Sequence, residues 1–152
     1  MHELLRSLTF VSLCSLALAA ATADVKVDNA WARATAPGQK TGSAYAELTS
    51  PSNAALVAAA SPIAERVEMH SMSLEGGVMR MRAVPRIELP AGSTVKLSPS
   101  GLHLMLFGLK QPLKEGEKLP LELSIQSPGS APATVNVEAE VRGAGSGSAE
   151  KR

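Results

Sequence analysis

The feature that most restricts how this chain can fold is the frequency of its turn signals. Ala36-Pro37-Gly38, Ser50-Pro51-Ser52-Asn53, Gly76-Gly77, Leu89-Pro90-Ala91-Gly92, Ser98-Pro99-Ser100-Gly101, Glu115-Gly116 and Ser127-Pro128-Gly129 interrupt it at short intervals. Between them lie runs of alternating or β-branched character: Val25 to Arg33, Thr41 to Thr49, Ala54 to Ala60, Arg66 to Ser73, Val78 to Val84, Thr94 to Ser98, His103 to Leu109, Leu119 to Gln126 and Thr134 to Arg142. No helical periodicity intervenes. Strands at this spacing imply an all-β domain, a sandwich or a barrel. Alanine favours helix, so Ala54 to Ala60 is the run whose composition fits a strand least.

The beginning of the chain sets the compartment. Residues 1–23 combine a short polar opening containing Arg6, an apolar run from Leu8 to Ala20, and Ala21-Thr22-Ala23 just before Asp24. That pattern is a secretory signal peptide with an A-x-A cleavage site, and the run is too short for a membrane span. Cys14 follows Leu13 rather than a small residue and lies inside the apolar run, so no membrane anchor is expected. Removing the leader removes the one cysteine. A disulfide, a Cys-ligated zinc or iron–sulfur site, a cysteine nucleophile and a blue-copper centre are all thereby excluded from the mature chain. Residues 24–142 are expected to form one domain, and the Gly/Ser-rich residues 143–152 a disordered tail. The formal charge of the whole chain is +1, with no basic run and few aromatics, so neither nucleic acid nor a membrane surface is an expected partner.

Against this plain background, residues 69–105 are unusual. They hold His70 and His103, the two histidines outside the leader, and Met69, Met72, Met79, Met81 and Met105, every methionine outside it. Imidazole and thioether together are soft-to-borderline donors that suit Cu(I). On strands, residues two apart share a face, which pairs His70 with Met72, Met79 with Met81, and His103 with Met105. The Leu74-Glu75-Gly76-Gly77 connection then decides the rest. A two-residue loop sets Met72 opposite Met81 with His70 diagonal to it; a four-residue loop sets His70 opposite Met81 and Met72 opposite Met79. An odd-length loop would turn Met81 away from His70. A lone strand methionine is ordinarily core filling, and Met69, pointing opposite to His70, is read that way. Trp31 and Tyr45 read as core or near-core residues, and Arg80, Arg82 and Arg86 as a solvated face.

His70, ten residues, Met81, twenty-one residues, His103, one residue and Met105 reproduce a spacing that resembles the H-x10-M-x21-H-x-M signature of the PCu(A)C family of periplasmic copper chaperones. The flanks are similar too: Asp28-Asn29-Ala30-Trp31-Ala32-Arg33-Ala34, Pro37-Gly38, Ala44-Tyr45, the run from Gly101 to Lys110, and Pro112 to Gly116. The resemblance covers most of the mature chain. It implies a cupredoxin-like Greek-key β-sandwich or barrel, monomeric and not an enzyme, that binds one Cu(I) per chain through His70, Met81, His103 and Met105. It further implies delivery of that copper towards the copper centre of a haem-copper oxidase, with a copper-receiving oxidase subunit or a Sco-type thiol protein as partner. Met72 and Met79 are left as secondary donors or as shields of the metal from water. The tail carries neither His nor Met, so a second, Cu(II) site of the kind some relatives have there is not expected.

Three other readings use the same residues. A periplasmic copper buffer would share every ligand. A copper enzyme finds no Ser/His/Asp or paired-carboxylate arrangement around the histidines. Met/His haem ligation lacks C-x-x-C-H and an aromatic pocket. Mass spectrometry of the exported protein should find a mature amino terminus at Asp24; a product retaining Cys14 would overturn the thiol-free reading.

Overall fold

The computed structural model describes residues 24–145, so the leader and residues 146–152 of the expected tail lie outside the described residues. Within them the chain is all-β: β1 (Lys26–Arg33), β2 (Thr41–Thr49), β3 (Ala54–Ala60), β4 (Arg66–Glu75), β5 (Val78–Ala83), β6 (Ile87–Leu89), β7 (Thr94–Lys96), β8 (His103–Phe107), β9 (Lys118–Gln126) and β10 (Ala133–Arg142). Nine of these follow the expected runs with ends shifted by a few residues. β6 is the addition. It is three residues long, hemmed in by Pro85 and Pro90, and exists because Ile87 and Leu89 are drawn into the core beside β3. Among the described residues, no helix is long and apolar enough to cross a membrane.

The strands follow the order β4, β8, β2, β1, β10, β9, β3, and the Ala59–Val67 pairing brings β3 back to β4, closing a barrel. The β1–β10 pair is parallel; the other pairings are antiparallel. Closure depends on β3, the run whose composition argued for helix. Its Ala55 and Leu56 are fully buried, and a bulge at Val57 bends it so that one end pairs with β6 and the other reaches β4. Small side chains let a strand with neighbours on both edges pack closely, and this tertiary gain outweighs the helix propensity of alanine.

The interior is filled by alternate residues: Ala44, Ala46 and Leu48 from β2, Leu104 and Leu106 from β8, Leu119, Leu121, Leu123 and Ile125 from β9, and Ala139 and Val141 from β10. Met69 lies among them as expected, 6% exposed. The intervening residues of β4 and β8 therefore face outwards, and that outer face carries the histidines. A second bulge, between Asp28 and Trp31, changes the parity of β1. Asn29 occupies its positive-φ position, a conformation asparagine tolerates better than most residues. Val25 and Val27 pack on the core before the bulge and Ala32 is buried after it, so Trp31 is turned to the outer face.

Leu106 is fully buried midway along β8. Replacing it with Ala should cost ~2–5 kcal/mol, the range for emptying a core leucine site; urea unfolding with an unchanged m-value is the measurement that checks it.

Candidate metal centre

The connection between β4 and β5 is the shorter of the two even-length alternatives. Glu75 pairs with Val78, leaving Gly76 and Gly77 as a two-residue loop with φ of 58° and 79°. Two successive positive φ values define a type I′ turn, which matches the twist of a hairpin and which glycine adopts without steric cost. Met72 is consequently opposite Met81, Leu74 is opposite Met79, and His70 is diagonal to Met81 on the same face.

The longer-range pairing adds what local spacing could not supply. β4 and β8 are in a register that sets His70 directly opposite His103 and Glu68 opposite Met105. The two imidazole rings lie 5.8 Å apart, centroid to centroid, inclined at 52°. His70, Met72, Met81, His103 and Met105 thus share one outer face across three adjacent strands, with Met79 farther along it towards the turn. His103 is buried, Met105 is half-buried, and Met81 is 46% exposed at the rim.

Hydrogen bonds assign the free nitrogen of each ring. Nδ1 of His103 lies 3.0 Å from the carbonyl oxygen of Gly101. A carbonyl only accepts, so the neutral ring carries its proton on Nδ1 and its lone pair on Nε2. Nε2 of His70 lies 2.9 Å from Oε2 of Glu68. The same reasoning puts that proton on Nε2 and leaves the lone pair on Nδ1. Nδ1 of His70 is buried without a hydrogen-bond partner. A buried polar atom left in this way costs ~1–3 kcal/mol, a cost that a metal ion accepting the lone pair removes. Backbone carbonyl and carboxylate acceptors behind imidazoles are the usual means of fixing ligand tautomer and ring orientation.

Other side chains complete the surroundings. Ser43 Oγ donates to Met105 Sδ at 3.7 Å. Tyr45 packs 6.4 Å from the His103 ring, Trp31 stacks on Tyr45 at 4.4 Å, and Phe107 lies 6.0 Å from His70. Tyr45 and Trp31 are therefore more than core filling: they cover the outer face beside His103. Glu68 escaped the sequence analysis although its signal was present, two residues before His70 on the same strand face. Ser43 had no such signal, because it reaches Met105 only through the β2–β8 pairing. Arg80, Arg82 and Arg86 are exposed as expected and pair with Glu75 or Glu88. Among the described residues no group of three or more His, Cys, Asp or Glu could hold a metal, and the donors that share this face with the two imidazoles include the thioethers of Met72, Met81 and Met105. That donor set suits a soft ion and not zinc or magnesium.

The Glu68 carboxyl is held below its ordinary value of 4.5, first by the hydrogen bond from His70 and then by that from Arg66, 2.8 Å away. A depressed folded-state value means that these contacts contribute stability above pH 4.5 and lose it as pH falls through the depressed value. Carbon-detected NMR titration should place the Glu68 midpoint below that of a free glutamate, and His70→Ala should raise it.

Comparison with known proteins fits this arrangement. The family model described as "Putative lipoprotein LpqE-like" matches residues 25–137. "Putative lipoprotein Lxx21020" of Leifsonia xyli subsp. xyli is 33% identical over 115 residues, covering 75% of this chain and 69% of the relative. The solution structure of apo-DR1885 from Deinococcus radiodurans is 32% identical, covers 94% of this chain and 97% of that one, and superposes with a TM-score of 0.58. The structure of CuI-DR1885 is likewise 32% identical, over 83% of this chain and 81% of that one, with a TM-score of 0.57. The apo PCuAC domain from PmoF1, 23% identical over 81% of this chain and 97% of its own, has a TM-score of 0.64 and shares the fold, which is cupredoxin-like. The family match and the Leifsonia relative lead to one conclusion: this chain belongs to the LpqE-like family.

Proposed function

We propose that this protein binds one Cu(I) through Nδ1 of His70, Nε2 of His103 and the sulfurs of Met81 and Met105, and carries it to a recipient outside the cytoplasm. The observation that carries this reading is the buried, unpartnered Nδ1 of His70 beside the His103 ring, on a face whose remaining donors are thioethers. The relative DR1885 has been solved with Cu(I), which supports the choice of metal. The relatives described as lipoproteins support export.

The donor set suits a carrier. Thioether sulfur needs no deprotonation and forms no disulfide, so it can hold Cu(I) where paired thiolates would risk oxidation. The donors also differ in how firmly they are held. His103 is buried and braced by Gly101, whereas Met81 stands half-exposed on a hairpin strand. A recipient's thiolate or imidazole would displace Met81 first and the histidines last. The recipient we propose is the copper centre of a haem-copper oxidase, reached directly or through a Sco-type thiol protein.

Competition with a Cu(I) chelator tests the site. Met81→Leu and Met105→Leu keep approximate volume and should leave the fold intact. Each should weaken Cu(I) binding at least ~10-fold, or ~1.4 kcal/mol. His70→Gln and His103→Gln should weaken it at least as much, and affinity should fall in acid as protons compete for the imidazoles. Retention of parental affinity by the His103 and Met105 variants, or a preference of the parent for Zn(II), would refute the assignment. Deleting the gene separates delivery from buffering: loss of oxidase copper with normal survival in excess copper supports delivery, and the opposite pattern supports a buffer.

A further inference from the structure

Of the methionines in the described residues, Met69 alone is in the core. The barrel interior is otherwise leucine, isoleucine, valine and alanine, so thioethers are not this chain's means of filling space. Met72, Met79 and Met81 lie together on one face of the β4–β5 hairpin, beyond the histidine pair. Leu74 and Met79 face each other, as do Met72 and Met81. The backbone N–H of Met72 donates to Gly101 across the β8 side, at 3.1 Å. On the β5 side Met72 and Met81 are therefore a non-hydrogen-bonded pair, the kind with Cα atoms ~4.5 Å apart and side chains closest. Met79 is two residues from Met81 and shares its face.

Solvent reaches this group. Met79 is 50% exposed and Met81 46%, an unusual placement for two long apolar side chains side by side. The hairpin's charges are kept to its other face, where Arg82 reaches Glu75 at 3.0 Å and Arg80 approaches it at 3.5 Å. What remains open to water is a small field of sulfur without a proton-binding group of its own.

We propose that Met72, Met79 and Met81 form a second, weaker and more exposed Cu(I) position, a station through which the ion enters and leaves the histidine site. The proposal rests on the copper reading above and extends it. Met81 belongs to both donor sets, and Met72 is two residues from His70, so Cu(I) passes between the positions by exchanging one donor at a time, with no change of oxidation state. Three thioethers bind a soft monovalent ion and have no proton to lose, so affinity at this position is independent of pH across the range in which imidazole titrates.

Ag(I), a redox-inert stand-in for Cu(I), tests this on the full mature chain. NMR of the imidazole ring protons and the methionine methyls should show a first equivalent that shifts the His70 and His103 rings and the Met105 methyl, and a second, weaker equivalent that shifts the methyls of Met72 and Met79. Met79→Leu, which alters an exposed side chain at constant approximate volume, should abolish the second equivalent and keep the first. In His70→Gln/His103→Gln, confirmed as folded by its amide spectrum, one equivalent should remain, with affinity changing less than twofold between pH 5 and 7.5. Should that double variant not fold, the Met79→Leu titration decides alone. A parent that saturates at one equivalent with the Met79 methyl unmoved, or a second equivalent that survives Met79→Leu, would overturn the station. Absence of the first equivalent would instead refute the histidine site.

Discussion

Everything on the histidine face depends on the pairing of β4 with β8 in a single register. Side chains on a strand alternate between faces, so a slip of one residue would send His70 into the barrel and bring Met69 out. What prevents the slip is the apolar set on the inner face: Met69 on β4 and Leu104 and Leu106 on β8 belong to the core that residues of β2 and β9 also fill, with Val67 packed against it. Burial of each such side chain contributes ~1.5–3 kcal/mol. The histidines are aligned because the leucines behind them admit one arrangement.

The same division of labour explains how a small barrel can hold ligands rigidly without burying charge. His103 is buried on the outer face under Tyr45 and His70, not inside the core, and its Nδ1 is satisfied by the Gly101 backbone. Trp31 reaches Tyr45 only because the bulge at Asn29 reverses the facing of β1. Glu68 secures the His70 ring from within the same strand. Each imidazole has one nitrogen tied down and the other free, and the tied partner differs: a carbonyl for His103, a carboxylate for His70. The carboxylate couples the orientation of His70 to Arg66, which bonds the other oxygen of Glu68 and lies over Phe107 at 4.2 Å.

Firmness falls off from the barrel to the hairpin tip. The β4–β8 segment is backed by the core, whereas every residue of β5 is exposed. Cross-strand pairs and the glycine turn hold β5 in place, with few buried contacts behind them, which puts it among the parts of the fold that open at low free energy. The proposed copper site would thus have its histidines on the firm part and its rim methionine on the soft part, an arrangement suited to release by exchange.

Much of this was legible from local pattern. Turn signals and alternation marked nine of the ten strands, and the glycine pair marked a hairpin whose two-residue loop in the structure brings Met81 to the face of His70. Donor chemistry singled out the histidines and methionines of residues 69–105, the family resemblance narrowed them to His70, Met81, His103 and Met105, and the opposition of Met69 to His70 followed from alternation alone. β6 was hidden because three residues between prolines carry no periodicity. The strand character of Ala54 to Ala60 ran against propensity and was decided by barrel closure. The direct opposition of His70 and His103, the contact of Ser43 with Met105, the stacking of Tyr45 beside His103 and the choice of Nδ1 or Nε2 as the free nitrogen were settled by tertiary structure. They arise between strands far apart in the chain, where register is set by how the core packs and no local code specifies it.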